Sequence, residues 1–229
     1  PAALILGQSV TSRLSTSSDN DSFSTTLTAG VTYLFAVAVD DFAPGQITLK
    51  IGDQQVTSVA GGQATQIAYT ATTTGVQTLV VSGGGSGSYR LVGEVLPADL
   101  PANAGTGGAM APGSPINSYF EVNNDQDWYA VGLMAGQTYL FSLQSRFESA
   151  LLGQLQLING NAVLATGHQA GSQQIVYTAA VTGTFYLSAG GQKGAYTVGV
   201  RAISDPQGSS AAPAQALSPD AIVNAAIDG

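Results

Sequence analysis

The stretch LTAGVTYLF at 27–35 returns as LMAGQTYLF at 133–141, 106 positions further on. Extended in both directions, 7–37 aligns with 113–143 without a gap. Over those 31 positions 11 are identical, namely Gly7, Ser12, Asp19, Asp21, Leu27, Ala29, Gly30, Thr32, Tyr33, Leu34 and Phe35 with their partners. Beyond this block IAYTATTTGVQTL (67–79) matches IVYTAAVTGTFYL (175–187) at an offset of 108, and GSYRLV (87–92) matches GAYTVG (194–199) at 107. Offsets that drift by a residue or two are loop-length differences on one scaffold, so the chain carries two copies of one domain.

A chain of 229 residues has room for two such domains, each of roughly 100 residues. Between the copies, LPADLPANAGTGGAMAP (96–112) holds three Pro and three Gly and reads as an exposed linker. The copies are therefore expected over 1–95 and 113–203. The remainder, 204–229, opens as a second linker, SDPQGSSAAPAQAL, and closes on SPDAIVNAAIDG. There Ser218 is placed to cap a short helix with Pro219 at its first position and Asp220 in its first turn. Such a helix would lead into a following domain.

Each copy parses into about eight short strands punctuated by Gly, Asn or Asp. In the second copy they are expected near 116–121, 127–134, 137–145, 151–158, 161–166, 173–180, 183–189 and 194–201. Strands at this spacing, with no helix-period segment inside either copy, indicate an all-β chain of two antiparallel β-sandwiches. Alternation assigns the faces. Tyr129, Val131 and Leu133, like Phe23, Thr25 and Leu27, form the series that is large in both copies and points inward. Tyr139, Phe141 and Leu143, with Tyr33, Phe35 and Val37, are expected inward too. Trp128 falls on the other face, where the first copy has Ser22.

Composition narrows the function. Charged residues are 9% of the chain, against about 25% in a typical globular domain. The net charge is −8 with only six Lys and Arg, so no basic patch exists to hold nucleic acid. Cys is absent, which removes disulfides and thiol chemistry. No apolar run approaches the roughly 18 residues of a membrane span. The opening PAALILGQSV has no basic n-region, so no signal peptide is read there.

Catalytic chemistry finds few residues. The single His, His168, lies in the Gly-rich turn ATGHQAGS and reads as a loop residue. No G-x-S-x-G elbow presents a nucleophile and no H-E-x-x-H offers zinc ligands. The chain itself is not expected to be an enzyme. What repeats instead is an Asp pair, SSDNDSF at 17–23 and NNDQDWY at 123–129. Asp19, Asp21, Asn124, Asp125 and Asp127 offer the hard oxygen donors that calcium prefers, though neither copy has the Gly and Glu positions of an EF-hand loop. The same residues also suit a turn, the first Asp accepting backbone N–H bonds and the second fixing the start of the strand. Asp40 and Asp41 lie in the loop after the third strand, apart from this motif in sequence. For ligand binding, Trp128 is the candidate anchor, with Tyr119, Phe120 and Phe147 able to join it. Arg146 and Glu148 flank Phe147 and read as solvating residues.

Together these residues resemble a known family. The order D-x-D-W-Y, then L-x-A-G-Q-T-Y-x-F, a strand ending N-G, I-x-Y-T-A-x-x-T-G-x-F-x-L and G-x-Y-x-V is similar to the bacterial pre-peptidase C-terminal domain. The likeness covers nearly all of 113–203 and, in more degenerate form, 7–95. It implies a jelly-roll-like sandwich carried by secreted proteases, collagenases and large surface proteins. It also implies a non-catalytic accessory module that binds an extracellular glycan, a matrix protein or a protein substrate, or acts as a spacer. Some members bind calcium near the segment holding the Asp motif, which makes calcium the one cofactor to expect. IVNAAIDG is also similar to the segment before the catalytic domain of serralysin-like metalloproteases. The alternative is therefore the N-terminal part of such a protease, with its catalytic domain beyond Gly229.

Overall fold

The computed structural model of the chain describes residues 1–39, 47–58, 65–83, 85–147, 153–167 and 172–204. The chain divides into two compact units, Pro1–Asp99 with Arg146–Ser149, and Leu100–Ser145 with Ala150–Gly229. Every described element is a strand, and no described helix is long and apolar enough to cross a membrane. The anticipated helix near Ser218 lies outside the described residues, as do Asp40, Asp41, Glu148 and His168.

The first unit contains β1 (Ala2–Ala3), β2 (Ser9–Leu14), β3 (Asn20–Leu27), β4 (Thr32–Val39), β5 (Ile47–Ile51), β6 (Gln54–Ser58), β7 (Thr65–Thr70), β8 (Gly75–Gly83) and β9 (Gly87–Val95). They form a sheet of order β1-β3-β8-β5-β6 and a second of order β2-β9-β4-β7. The second unit repeats this with β10 (Ala109–Met110), β11 (Ile116–Phe120), β12 (Asp125–Leu133), β13 (Thr138–Ser145), β14 (Gly153–Asn159), β15 (Ala162–Thr166), β16 (Ser172–Thr178), β17 (Gly183–Gly191) and β18 (Gly194–Ile203). Its sheets run β10-β12-β17-β14-β15 and β11-β18-β13-β16, strand for strand the same order. Each unit is an antiparallel β-sandwich. The exceptions to antiparallel pairing are β1 on β3 and β10 on β12.

Period-two alternation builds both cores as the sequence anticipates. Tyr129, Val131, Leu133, Tyr139, Phe141 and Leu143 are buried in one cluster, and Phe23, Leu27, Tyr33, Phe35 and Val37 in the other. Burying each such side chain is worth roughly 1.5–3 kcal/mol. The identical glycines have a conformational cause. Gly30 and Gly136 sit at φ +80° and +77° in the A-G turns before β4 and β13, a left-handed conformation that costs glycine little.

Two sequence expectations are corrected. β12 begins at Asp125, so the D-x-D motif of the second copy lies inside the strand, whereas β3 begins at Asn20 and leaves Asp19 just ahead of it. The segment 96–112 is not an exposed linker throughout, because Leu96 and Met110 are 7% and 6% exposed. Met110 joins the second core as Leu4 joins the first. Met110 sits in a two-residue strand and Leu4 directly follows one, and so short a run has no period to be seen by.

Candidate functional site

The duplicated aspartates divide their work in the same way in both units. Asp125 closes the turn between β11 and β12, its Oδ2 accepting the backbone N–H of Glu121 at 2.9 Å and its Oδ1 that of Gln126 at 2.8 Å. Asp19 accepts the backbone N–H of Ser15 at 2.8 Å and the Ser15 hydroxyl at 2.7 Å on Oδ2. The Ser15 amide, then its hydroxyl, holds the Asp19 carboxyl below its ordinary value of 3.8. The turn before Asp125 needs a left-handed residue, and Asn124 supplies it at φ 66°, a conformation Asn tolerates well among non-glycine residues. Asn124 donates its N–H to the Gly191 carbonyl at 2.8 Å, and Asn123 Oδ1 accepts the N–H of Lys193 at 3.0 Å.

The second aspartates point inward. Asp127 is 1% exposed, and its Oδ2 accepts the hydroxyl of Tyr196 from β18 while its Oδ1 accepts the N–H of Leu100 at 3.2 Å. With the Tyr196 hydrogen committed to Asp127, the 2.6 Å contact between Tyr129 and Tyr196 hydroxyls must run from Tyr129 as donor. In the first unit Tyr89 donates to Asp21 Oδ2 at 2.5 Å, and the Ser12 hydroxyl donates to the same oxygen at 2.9 Å. A carboxylate taken from water costs several kcal/mol unless it is hydrogen-bonded, so each tyrosine completes its aspartate. Desolvation pushes the Tyr129 hydroxyl up to about 12, and it raises Tyr89 and Tyr196 in the same direction.

The expected metal set is thus spread over two environments. Asp21 and Asp127 are occupied by buried tyrosines, whereas Asp19, Asn124 and Asp125 remain at the turn. Glu121, which the sequence did not single out, brings a carboxylate oxygen within 4.8 Å of one from Asp125. It precedes the motif by four residues with nothing in its own spacing to mark it.

The expected aromatic set separates as well. Trp128 is half-buried on the outward face of β12, its ring centroid 5.9 Å from that of Tyr186 on β17. Its indole N–H is buried and meets no acceptor among the described residues, so that edge of the ring faces the protein. Tyr119 and Phe120 do not join it. They are 3% and 0% exposed, and Phe120 stacks on Tyr196 at 4.0 Å. Phe120 stands where the first copy has Leu14, also 0% exposed, so strand parity rather than aromatic character decides its place. Phe147 lies 4.9 Å beneath the guanidinium of Arg146. Arg146 also pairs with Glu94, its Nη2 donating to Oε2 at 3.1 Å, in place of the solvating role expected of it.

Positions of the second five-stranded sheet opposite in parity to the core series line up by register, with Ser188 and Ile158 among them 3% and 5% exposed. Gln126, Gly190 and Gln154 form one row, Trp128, Ser188 and Gln156 the next, and Ala130, Tyr186 and Ile158 the third. At matching positions the first unit has Asn20, Ser82 and Thr48, then Ser22, Val80 and Lys50, then Ser24 and Thr78. At these described positions aromatic rings and paired glutamines occur in the second copy alone.

No family model matches the chain, and a search of curated proteins gives no match. Among solved structures, it is similar to the pre-peptidase C-terminal domain of a collagenase from Bacillus anthracis. That likeness has 16% identity and a TM-score of 0.36, over 41% of this chain and 93% of that one. Tripeptidyl peptidase 2 matches with 9% identity and a TM-score of 0.28, over 88% of this chain and 24% of its own.

Proposed function

We propose that the chain is a non-catalytic accessory module of a secreted or surface-exposed bacterial protein, of the pre-peptidase C-terminal kind. The second sandwich binds an extracellular ligand, glycan or matrix protein, through the outward face of β12 and β17, and the first sandwich is scaffold. One observation carries this reading: the identities shared by the copies mostly serve the fold, and the outward aromatics are where the copies differ. Gly30 and Gly136 make turns, Asp19 and Asp125 hold backbone amides, and Asp21 and Asp127 hold tyrosines. Tyr33 and Tyr139 accept the N–H of Thr28 and Met134 at 2.9 and 3.0 Å. Trp128 and Tyr186 replace Ser22 and Thr78 and have no part in that framework. The test is retention of the full chain on immobilised glycans and on collagen, gelatin and fibronectin films, compared with Trp128→Ser. Retention lost in the variant supports the reading, and retention on none of these surfaces sinks it.

Calcium is proposed at the turn of the second unit, supported by the approach of Glu121 and Asp125. Asn124 adds a side-chain carbonyl there, and hard oxygen donors of this kind suit the ion. Added calcium should raise the melting temperature and EDTA reverse it, with Glu121→Gln insensitive to both. An unchanged melt in the unsubstituted chain removes the metal from the account.

A further inference from the structure

We infer that the outward face of β12, β17 and β14 is a subsite for a neutral oligosaccharide, one sugar ring lying on Trp128 and Tyr186 and the next reaching a polar cavity beside them. This deepens the binding role proposed above and rests on it. The cavity has a volume of ≈ 220 Å³ and is lined by Asn124, Asp125, Gln126, Gln154 and the glycines at 153, 190 and 191. It lies below the roughly 300 Å³ at which drug-sized pockets begin, a size for a single small polar unit.

The glycines of the lining mark a close approach of β14 and β17. A Cβ on Gly153 would stand 2.2 Å from the Gly190 carbonyl oxygen, and one on Gly190 would stand 3.1 Å from Gln126 Cγ. Register places Ile47 and Ser82 of the first unit at these two positions, so this pair of glycines belongs to the second copy.

The lining chemistry selects the ligand class. Primary amides of Gln126, Gln154 and Asn124 each present a donor and an acceptor, the pairing that a sugar hydroxyl offers in return. Gln126 and Gln154 flank Gly190 in one row, and Trp128 is two residues along β12 from Gln126 on the same face. Aromatic rings offer a flat apolar surface for the C–H face of a pyranose. Among the described residues Asp125 is the one charged residue lining the cavity, and it disfavours polyanionic glycans. No cation among the described residues lines the cavity to attract them.

The experiment measures binding of the full chain to cellohexaose, chitohexaose, maltohexaose and xylohexaose by calorimetry, with heparin and a gelatin film as comparators. Each is run with calcium and with EDTA. The variants carry residues that the first copy places on the same scaffold: Trp128→Ser, Tyr186→Thr and Gln154→Thr. Their melting curves establish that each is folded, and Trp128→Phe, which keeps a ring, provides a further check. At least one neutral hexasaccharide should bind with an affinity insensitive to added salt. Trp128→Ser should weaken it roughly tenfold or more, Gln154→Thr should weaken it severalfold, and Trp128→Phe should retain most of it. Neutral-glycan binding that Trp128→Ser and Gln154→Thr leave unchanged overturns the subsite. Binding to heparin alone, lost with added salt, overturns the neutral class. Trp128-dependent retention on gelatin without any hexasaccharide binding overturns the sugar and leaves the binding role intact. Retention on nothing overturns both.

Discussion

Tyr196 donates its hydroxyl hydrogen to Asp127 across 69 residues of chain, and Tyr89 does the same to Asp21 across 68. The relationship accounts for two features of the repeat at once, the second Asp of the D-x-D motif and the Tyr of the closing G-x-Y.

Removing the donor should therefore cost more in the second unit than in the first. Tyr196→Phe leaves a carboxylate that is 1% exposed with one donor fewer, a loss of about 1.5–3 kcal/mol for a bond to a charged group. Tyr89→Phe leaves Asp21 half-buried and still bonded to Ser12, so a smaller loss is expected. Urea unfolding of the two variants checks the order, and a greater loss from Tyr89→Phe would contradict it.

The same network sets an alkaline limit. Folded Tyr129 keeps its proton up to about 12, against an ordinary 10.0. Between those values the unfolded chain binds fewer protons than the folded one, so stability must fall as pH rises. Below pH 10 this contribution is fully present. Thermal melts should therefore decline from about pH 10 towards 12. Tyr129→Phe, which installs the residue the first copy has as Phe23, should make that decline shallower. A pH-independent melt over this window would mean that the hydroxyls are not held neutral by burial.

Glycine substitutions separate strain from collision. At Gly136 a Cβ meets nothing within 4 Å, so Gly136→Ala pays only for φ +77°, about 1 kcal/mol or somewhat more. At Gly153 the Cβ meets a carbonyl oxygen at 2.2 Å and the backbone between β14 and β17 has to shift. Gly153→Ala should be the more destabilising of the two by calorimetry, and equal melting temperatures would be inconsistent with the register found there.

Met110→Ala tests whether the segment before β11 is part of the core. A buried Met truncated to Ala costs about 2–5 kcal/mol, whereas the same change in an exposed linker costs under about 0.5 kcal/mol. The denaturation midpoint distinguishes the two.

The sequence by itself determined the duplication, the all-β sandwich and the orientation of nearly every long strand. Those follow from local rules: side chains alternate with a period of two, and A-G and N-G mark the turns. It also placed Trp128 outward and Tyr129 inward from parity alone. What the tertiary structure decided was every partner reached across the sheet. The acceptor of Tyr196, the docking of Met110, the burial of Tyr119, and the cavity that Gly153 and Gly190 line all depend on which strands become neighbours. β12 lies beside β17, and β17 beside β14, although none of these pairs is consecutive in the chain. Sheet order is fixed by the joint burial of two faces, a property of the assembled sandwich that no single stretch of sequence contains.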